Sequence, residues 1–479
     1  MKKILKIFAV ILTVLVLCGA LGWLGWLWYD NNVDRSGWLE EEGITMYLDF
    51  HGKPVTGWQE IHGLRYYFDE NYDLHTGWLE DEGTTYYMNG EGTIHIGWLE
   101  LEEGHFFLNS DGALAIGWQE IGTDTYYFGE QGRMQTGWLE QEGTRHYLQE
   151  NGALATGWLE LDEGVLWLND RGTPQSGWQE IREETYYFDE QGYLLTGWQE
   201  IDGNRYLFGE GGPMVTGWAE TEEGTCYFLA DGPMATDWQE IDGNRYYFSA
   251  AGFLHTGWLE QGEYLYYLDD QGIMATGPQE IDGTTCYFSP KGIYVLLVNP
   301  WHPLAADYTV DLVEVESGWR VDQSCLEALE KMLSDCRAAG LDPAFSSAYR
   351  NEAEQRAVWR DYVNRYMAQG YDEATANAMT SQYVAQPGTS EHHTGLAVDI
   401  VGADYYGRGQ AGATTAVQQW LREHCWEYGF ILRYQADKQH NTGFAPETWH
   451  VRYVGALVSM DMKDSGLCLE EYLGAVTTP

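Results

Sequence analysis

The pattern of apolar and polar positions divides the chain into three regimes. The first is an uncharged run of 23 residues, Ile7 to Tyr29. As a helix it is about 34 Å long, enough to cross a bilayer. Lys2, Lys3 and Lys6 precede it, and acidic residues dominate after it. The positive-inside rule then makes residues 1–6 a cytoplasmic basic tail, residues 7–29 a transmembrane signal anchor, and the rest extracellular. A cleaved signal peptide is the rival reading, since small Cys18 and Ala20 permit a cut after Ala20. The apolar run continues for nine residues past that point, which a cleaved signal does not need. Leu17 is too large for the usual lipobox before a lipidated Cys18.

The second regime begins at Gly37 and repeats every 20 residues. Trp38, Trp58, Trp78, Trp98, Trp118, Trp138, Trp158, Trp178, Trp198, Trp218, Trp238 and Trp258 are evenly spaced, and Pro278 stands where the next Trp belongs. Each unit carries a second apolar triplet, such as Tyr66-Tyr67-Phe68 or Tyr246-Tyr247-Phe248. Turn signals such as Asp202-Gly203-Asn204 lie between the two. Aromatic segments joined by Gly-bearing turns predict β-hairpins. One hairpin buries too little to stand alone, so a fixed short period predicts a stacked solenoid over 37–290, with Pro278 marking a capping unit. Most of the Trp and Tyr are expected to fill its core, and some to stay partly exposed in grooves between hairpins.

The third regime, residues 291–479, changes rhythm. Cys325, Leu329, Met332, Leu333 and Cys336 recur at helical spacing. Further helices are expected near Glu352–Met367 and Thr415–Tyr428. Short β-like runs are Ala344–Tyr349, Leu396–Val401, Phe430–Tyr434 and Trp449–Val454. Without a regular βαβ alternation this predicts an α+β domain with a small antiparallel sheet. The whole chain therefore reads as an all-β hairpin solenoid followed by an α+β domain.

Charge narrows the partners. Residues 291–479 carry 25 acidic and 14 basic side chains, a net of −11, so the other −37 of the total −48 lies on residues 1–290. Many of these charges are the Glu after Trp-Leu or Trp-Gln, such as Glu40, Glu60 and Glu80. Nucleic acid is excluded as a partner, and the array reads as a self-repelling, solvated stalk. Seven cysteines make no disulfide framework. Cys226 and Cys286 sit in units three apart, too far to pair.

The chemistry is concentrated in Ser390-Glu391-His392-His393-Thr394-Gly395-Leu396-Ala397-Val398-Asp399 and in Glu447-Thr448-Trp449-His450. Zinc takes His nitrogen and carboxylate oxygen, and a catalytic zinc keeps one of four positions for water. His392, Asp399 and His450 supply three ligands, which leaves Glu447 to take the water's proton. His393 competes with His392. On an extended segment neighbours point opposite ways, so only one of the two can reach the metal.

Two resemblances sharpen this reading. "GWQEIDGNRYLF" from Gly197 and "DWQEIDGNRYYF" from Asp237 resemble the cell-wall-binding repeats, a family with choline-binding, glucan-binding and toxin-tail branches. Choline binders carry an extra Trp just before the Tyr pair, where this chain has Arg65, Thr85, Thr125 or Arg205. That argues against a choline cage and for the sugar-binding and toxin-tail branches. Trp58, Trp78, Trp118 and Trp198 are the candidate glycan-stacking residues. The region after residue 290 resembles the VanY-like D-alanyl-D-alanine carboxypeptidases, zinc peptidases of bacterial peptidoglycan. Their pattern is Ser-x-His-x-x-Gly-x-Ala-x-Asp followed by Glu-x-x-His, matched at 390–399 and 447–450. Ser347-Ala348-Tyr349-Arg350 and Gln355 resemble the family's upstream segment, with Ala348 for its usual Gly.

This resemblance selects His392 over His393. It implies zinc on His392, Asp399 and His450, with Glu447 as general base. It further implies that Arg350 meets the oxyanion or anchors the substrate, and that Ser390, Gln355 and Tyr349 help bind it. The expected activity is removal of the terminal D-alanine from peptidoglycan stem peptides at the outer face of the membrane and in the wall. An L,D-carboxypeptidase or endopeptidase, or a catalytically dead wall-binding adhesin, are the competing readings.

Overall fold

The computed structural model describes residues 2–403 and 415–475. The chain forms two compact units: one runs to Gln199 and includes Leu207–Met214, and the other holds Glu200–Tyr206 and everything from Val215.

The first unit opens with helix α1 (Lys2–Asn32), whose apolar side chains are exposed and whose most apolar window has a mean hydropathy of 2.7. Hairpins follow. In one of them Gly57–Ile61 pairs with Leu64–Phe68, with Trp58 opposite Tyr67 and Gly57 opposite Phe68. The connecting His62 and Gly63 both have positive φ, 50° and 80°, as a two-residue turn matched to strand twist requires. In the loop that follows, Asp69 Oδ1 accepts from the backbone N–H of Asn71 and Asp73, at 2.7 and 2.9 Å. Leu74 then donates its N–H to Thr45 of the preceding hairpin at 2.8 Å, and Ile94 and Leu114 do the same one and two units on. These links stack each hairpin on its neighbour.

The expectation that tryptophan fills the core is corrected here. The core residue is the last of the second strand: Phe68, Met88, Leu108, Phe128 and Leu148 are all fully buried. Successive strand residues point to opposite faces, so Phe68 and Trp58 cannot share one. Trp58 packs edge-on against Tyr67 of its own hairpin and Tyr86 of the next, at 5.3 and 4.9 Å. Most of the indole row stays open: Trp78 is 37% exposed and Trp118 38%.

The second unit continues the repeat and runs it into the C-terminal domain. Its last hairpin, Gly277–Ile281 with Thr284–Phe288, places Pro278 opposite Tyr287. Tyr287 is buried among Ile293, Val295, Leu297 and the residues of the domain core. Tyr294 donates its N–H to Leu265 at 2.7 Å, which continues the hairpin-to-hairpin link across residue 290. The Tyr264 hydroxyl accepts from Leu457 N–H at 3.2 Å, and the Tyr453 hydroxyl donates to Glu263 at 2.9 Å.

In the domain itself helix α2 (Gln323–Ala338) is capped by Asp322 and buries Cys325, Leu329, Met332, Leu333 and Cys336. Strand β1 (Pro343–Ser347) leads to α3 (Glu352–Ala368), which starts in an Asn351–Glu354 capping box, and then to α4 (Glu373–Thr380). Strand β2 (Ala397–Gly402), helix α5 (Ala416–His424), and strands β3 (Phe430–Tyr434) and β4 (Glu447–Tyr453) complete the frame. The helix expected over Thr415–Tyr428 is shorter: it gives way to a 3-10 turn, Cys425–Tyr428, ended by Gly429 at φ 80°. The sheet order is β1-β2-β4-β3, antiparallel throughout. All seven cysteines are free, and all but Cys18 are buried.

Candidate metal centre

The sheet register assembles the centre. Asp399 on β2 pairs directly with His450 on β4, so both side chains leave the same face. His392 arrives from the 3-10 turn Glu391–Thr394, not from an extended segment as the sequence suggested. The turn closes on Gly395 at φ 71°, where an added Cβ would lie 2.8 Å from the Asp322 backbone nitrogen. Only glycine fits there, which accounts for the motif's Gly.

His392, Asp399 and His450 each bring a ligand atom within 4.8 Å of the others. His392 Nε2 and His450 Nδ1 lie 3.5 and 3.1 Å from Asp399 Oδ1. Zinc bonds of about 2.0–2.2 Å at tetrahedral angles put ligand atoms roughly 3.3–3.6 Å apart, so the donor set fits that ion. Glu447 Oε2 is 3.9 Å from His450 Nδ1, beside the trio.

His393 is turned away from the trio. Its Nδ1 donates to the Arg350 carbonyl at 2.6 Å, and its Nε2 accepts from Gly388 N–H at 3.1 Å. Both nitrogens are spent on holding backbone. The Arg350 N–H in turn donates to the His392 carbonyl at 3.1 Å, which ties the arginine to the ligand turn.

Burial and charge oppose each other here. Burial pushes the His392 imidazole down, with Arg350 adding to the effect, to about 4. Burial lowers His450 as well, but its hydrogen bonds to Asp399 and Glu391 lift it to about 9. Burial would raise Asp399, yet the two imidazoles hold it well below the usual carboxylate range.

The trio lies in a cavity of about 480 Å³ also lined by Arg350, Ser390 and Glu447. Tyr362 and Tyr366 of α3 and Trp449 of β4 also line it. Gln355 and Tyr349 do not line it. Gln355 is fully buried and donates to the Ala385 carbonyl at 2.7 Å, so it fixes a cavity-lining segment from behind. Tyr349 lies under the Arg320 guanidinium at 5.4 Å.

A further group escaped the sequence reading. Glu391 is fully buried and accepts from Arg433 Nε at 2.8 Å, Arg452 Nη1 at 3.0 Å and His450 Nε2 at 3.1 Å. Arg433 is shared with buried Glu470. The available signal was an arginine inside each of two otherwise apolar strands, "FILRY" and "HVRY".

In the array, Trp58 and Trp198 are half-buried and Trp78 and Trp118 exposed. The guanidinium groups of Arg65, Arg145 and Arg245 lie 4.5, 4.1 and 4.8 Å over the rings of Trp58, Trp138 and Trp238. Those indole faces already carry a cation.

Comparison with known proteins finds matches in two parts of the chain. The model for VanY, D-alanyl-D-alanine carboxypeptidase, matches residues 318–456. A D-alanyl-D-alanine carboxypeptidase of Enterococcus faecalis is 40% identical over 179 residues, 37% of this chain and 65% of that protein. A solved structure of a vancomycin-resistance D,D-pentapeptidase, a VanY mutant with Zn(II), is 40% identical and covers 37% of this chain and 97% of that one, with a TM-score of 0.35. The chain belongs to the VanY D-alanyl-D-alanine carboxypeptidase family. Its C-terminal domain is thus a domain of a zinc metallopeptidase family, with His392, Asp399 and His450 placed where they could hold a metal ion. Ahead of it, choline-binding repeat models match 115–158, 195–237, 215–254 and 235–276, and a cell wall binding repeat model matches 56–71, 76–94 and 176–194. Choline binding protein F of Streptococcus pneumoniae is 24% identical over 55% of this chain and all of that one, with a TM-score of 0.35.

Proposed function

We propose that the protein is a zinc-dependent carboxypeptidase that removes the terminal D-alanine from peptidoglycan stem peptides while its repeats hold it at wall glycan. The convergence of His392, Asp399 and His450 beside Glu447, in a cavity that also contains Arg350, carries this reading. His392 Nε2, Asp399 and His450 Nδ1 hold the metal. Zinc held there would supply Lewis acidity, which makes the attacking water easier to deprotonate. Glu447 takes the proton of the attacking water and delivers it to the leaving amine. Arg350, whose backbone is tied to the ligand turn, meets the negative charge that develops on the substrate carbonyl or holds the substrate's terminal carboxylate. Ser390 serves the same carboxylate from the cavity wall. Release of D-alanine from a pentapeptide stem by the purified full chain is expected to stop with chelator and return with added zinc. Undiminished release from a metal-free preparation would remove the basis of this reading.

Two further assignments belong to it. Helix α1 anchors the chain in the cytoplasmic membrane with the repeats outside, because 7–29 is uncharged and the lysines precede it. The open indole row stacks wall sugars, choline being disfavoured where arginine already covers the ring. Fractionation tests both. An N-terminal tag is expected to stay with membranes after protease treatment of protoplasts. A 37–290 fragment is expected to sediment with purified walls and to stay there in millimolar choline. A soluble form starting at Leu21, or release by choline, would reverse the respective assignment.

A further inference from the structure

The motif that carries the metal ligands leaves residue 391 open, but in this chain its side chain accepts hydrogen bonds from two arginines and a ligand histidine. Glu391 is fully buried, and its Oε2 lies 3.1 Å from His450 Nε2. The opposite ring nitrogen, Nδ1, faces Asp399 at 3.1 Å. An imidazole that gives its Nε2 proton to a carboxylate has its Nδ1 lone pair free for a metal, with the ring held in one rotation. A carboxylate alone in such a place would cost far too much to ionise. Here Arg433 Nε and Arg452 Nη1 both bond Oε1, at 2.8 and 3.0 Å, and Oε2 is left for the histidine. The arginines are themselves fixed. Arg433 is paired with Glu470, and Arg452 Nη2 donates to the Leu296 carbonyl at 2.7 Å. Glu391 is also the first residue of the turn that bears His392. One buried side chain thus orients one ligand through its ring and sits next in sequence to another.

We propose that Glu391 is a positioning residue for the metal: it accepts a hydrogen bond from His450 Nε2–H, locks the tautomer that presents Nδ1, and so sets zinc affinity without touching substrate. This rests on zinc being held by His392, Asp399 and His450.

The test is the zinc dissociation constant of the full chain, read by competition with a chromogenic chelator. Glu391→Gln keeps the size and one acceptor oxygen but loses the charge and can turn an NH₂ toward the ring. It is expected to weaken zinc binding about 10- to 100-fold, the usual effect of losing such a partner. Leu333→Ala, a truncation on the buried face of α2, controls for instability and is expected to lower the melting temperature without that loss of affinity. Should Glu391→Gln fail to fold beside the two arginines, the imidazole nitrogens of His450 in the zinc-loaded native chain decide the matter by NMR. An Nε2 proton shifted strongly downfield by its hydrogen bond to the Glu391 carboxylate is expected. Zinc affinity unchanged in folded Glu391→Gln, a comparable loss in Leu333→Ala, or an Nε2 proton without the shift of a carboxylate hydrogen bond would each overturn the proposal, whereas a proton on Nδ1 would overturn the ligand assignment. A native chain that binds no zinc at all would instead overturn the ligand assignment beneath it.

Discussion

Glu447→Gln is expected to keep the metal and lose about 10²- to 10⁴-fold in turnover, the usual contribution of a positioned general base. The amide fills the same space but cannot accept the proton of the attacking water. Glu447 stands 3.9 Å from His450 Nδ1, alongside the ligand cluster rather than within it. Its place is set by β4, where it precedes His450 by three residues and pairs with Tyr434 after the irregularity in β3. His450→Ala, by contrast, is expected to lose both metal and activity, since it removes a ligand and strands Glu391. Metal analysis together with D-alanine release separates the two outcomes. If Glu447→Gln loses zinc while its circular dichroism and melting stay native, Glu447 is a ligand and the division of roles is wrong.

The second large effect concerns where the catalytic domain begins. A fragment cut at residue 291, where the repeat pattern ends, is expected to be strongly destabilised, whereas residues 215–479 fold. The cut removes Tyr287 from the domain core, strips the cover from Ile293 and Val295, and takes away both Tyr264 and Glu263. Deleting one buried aromatic costs about 3–5 kcal/mol. A domain stable by about 5–15 kcal/mol does not survive several such losses comfortably. Thermal unfolding of the two fragments side by side decides this. Equal melting temperatures would show that the last hairpins are dispensable.

Much of this was legible in the residues. The 20-residue period, the Gly-bearing turns and the four short strand runs are local signals, and local backbone preferences realised them: the Asp242-Gly243 pair, for one, adopts positive φ at both residues, 52° and 80°. The convergence of His392, Asp399 and His450 was legible because metal-binding chemistry restricts the residue types at each place. Gln355 and Tyr349 show the opposite limit. Their spacing resembles a substrate-binding segment, yet one is turned behind the cavity wall and the other lies beneath Arg320. Which way a side chain leaves its element depends on what packs against it.

By itself, then, the sequence determined the three regimes of the chain, the hairpin and α+β element types, and the zinc-type donor set. Each depends on periodicity or on residue chemistry within a short window. Only the tertiary structure showed that His393 spends both ring nitrogens on backbone while His392 faces Asp399, and that phenylalanine and leucine, not tryptophan, fill the hairpin core. It also decided that Tyr287 of the last hairpin packs into the core of the C-terminal domain and that Glu391 reaches His450 across 59 positions of sequence. These are long-range facts, set by strand register and by buried charges that must find partners, and no short window of residues contains them.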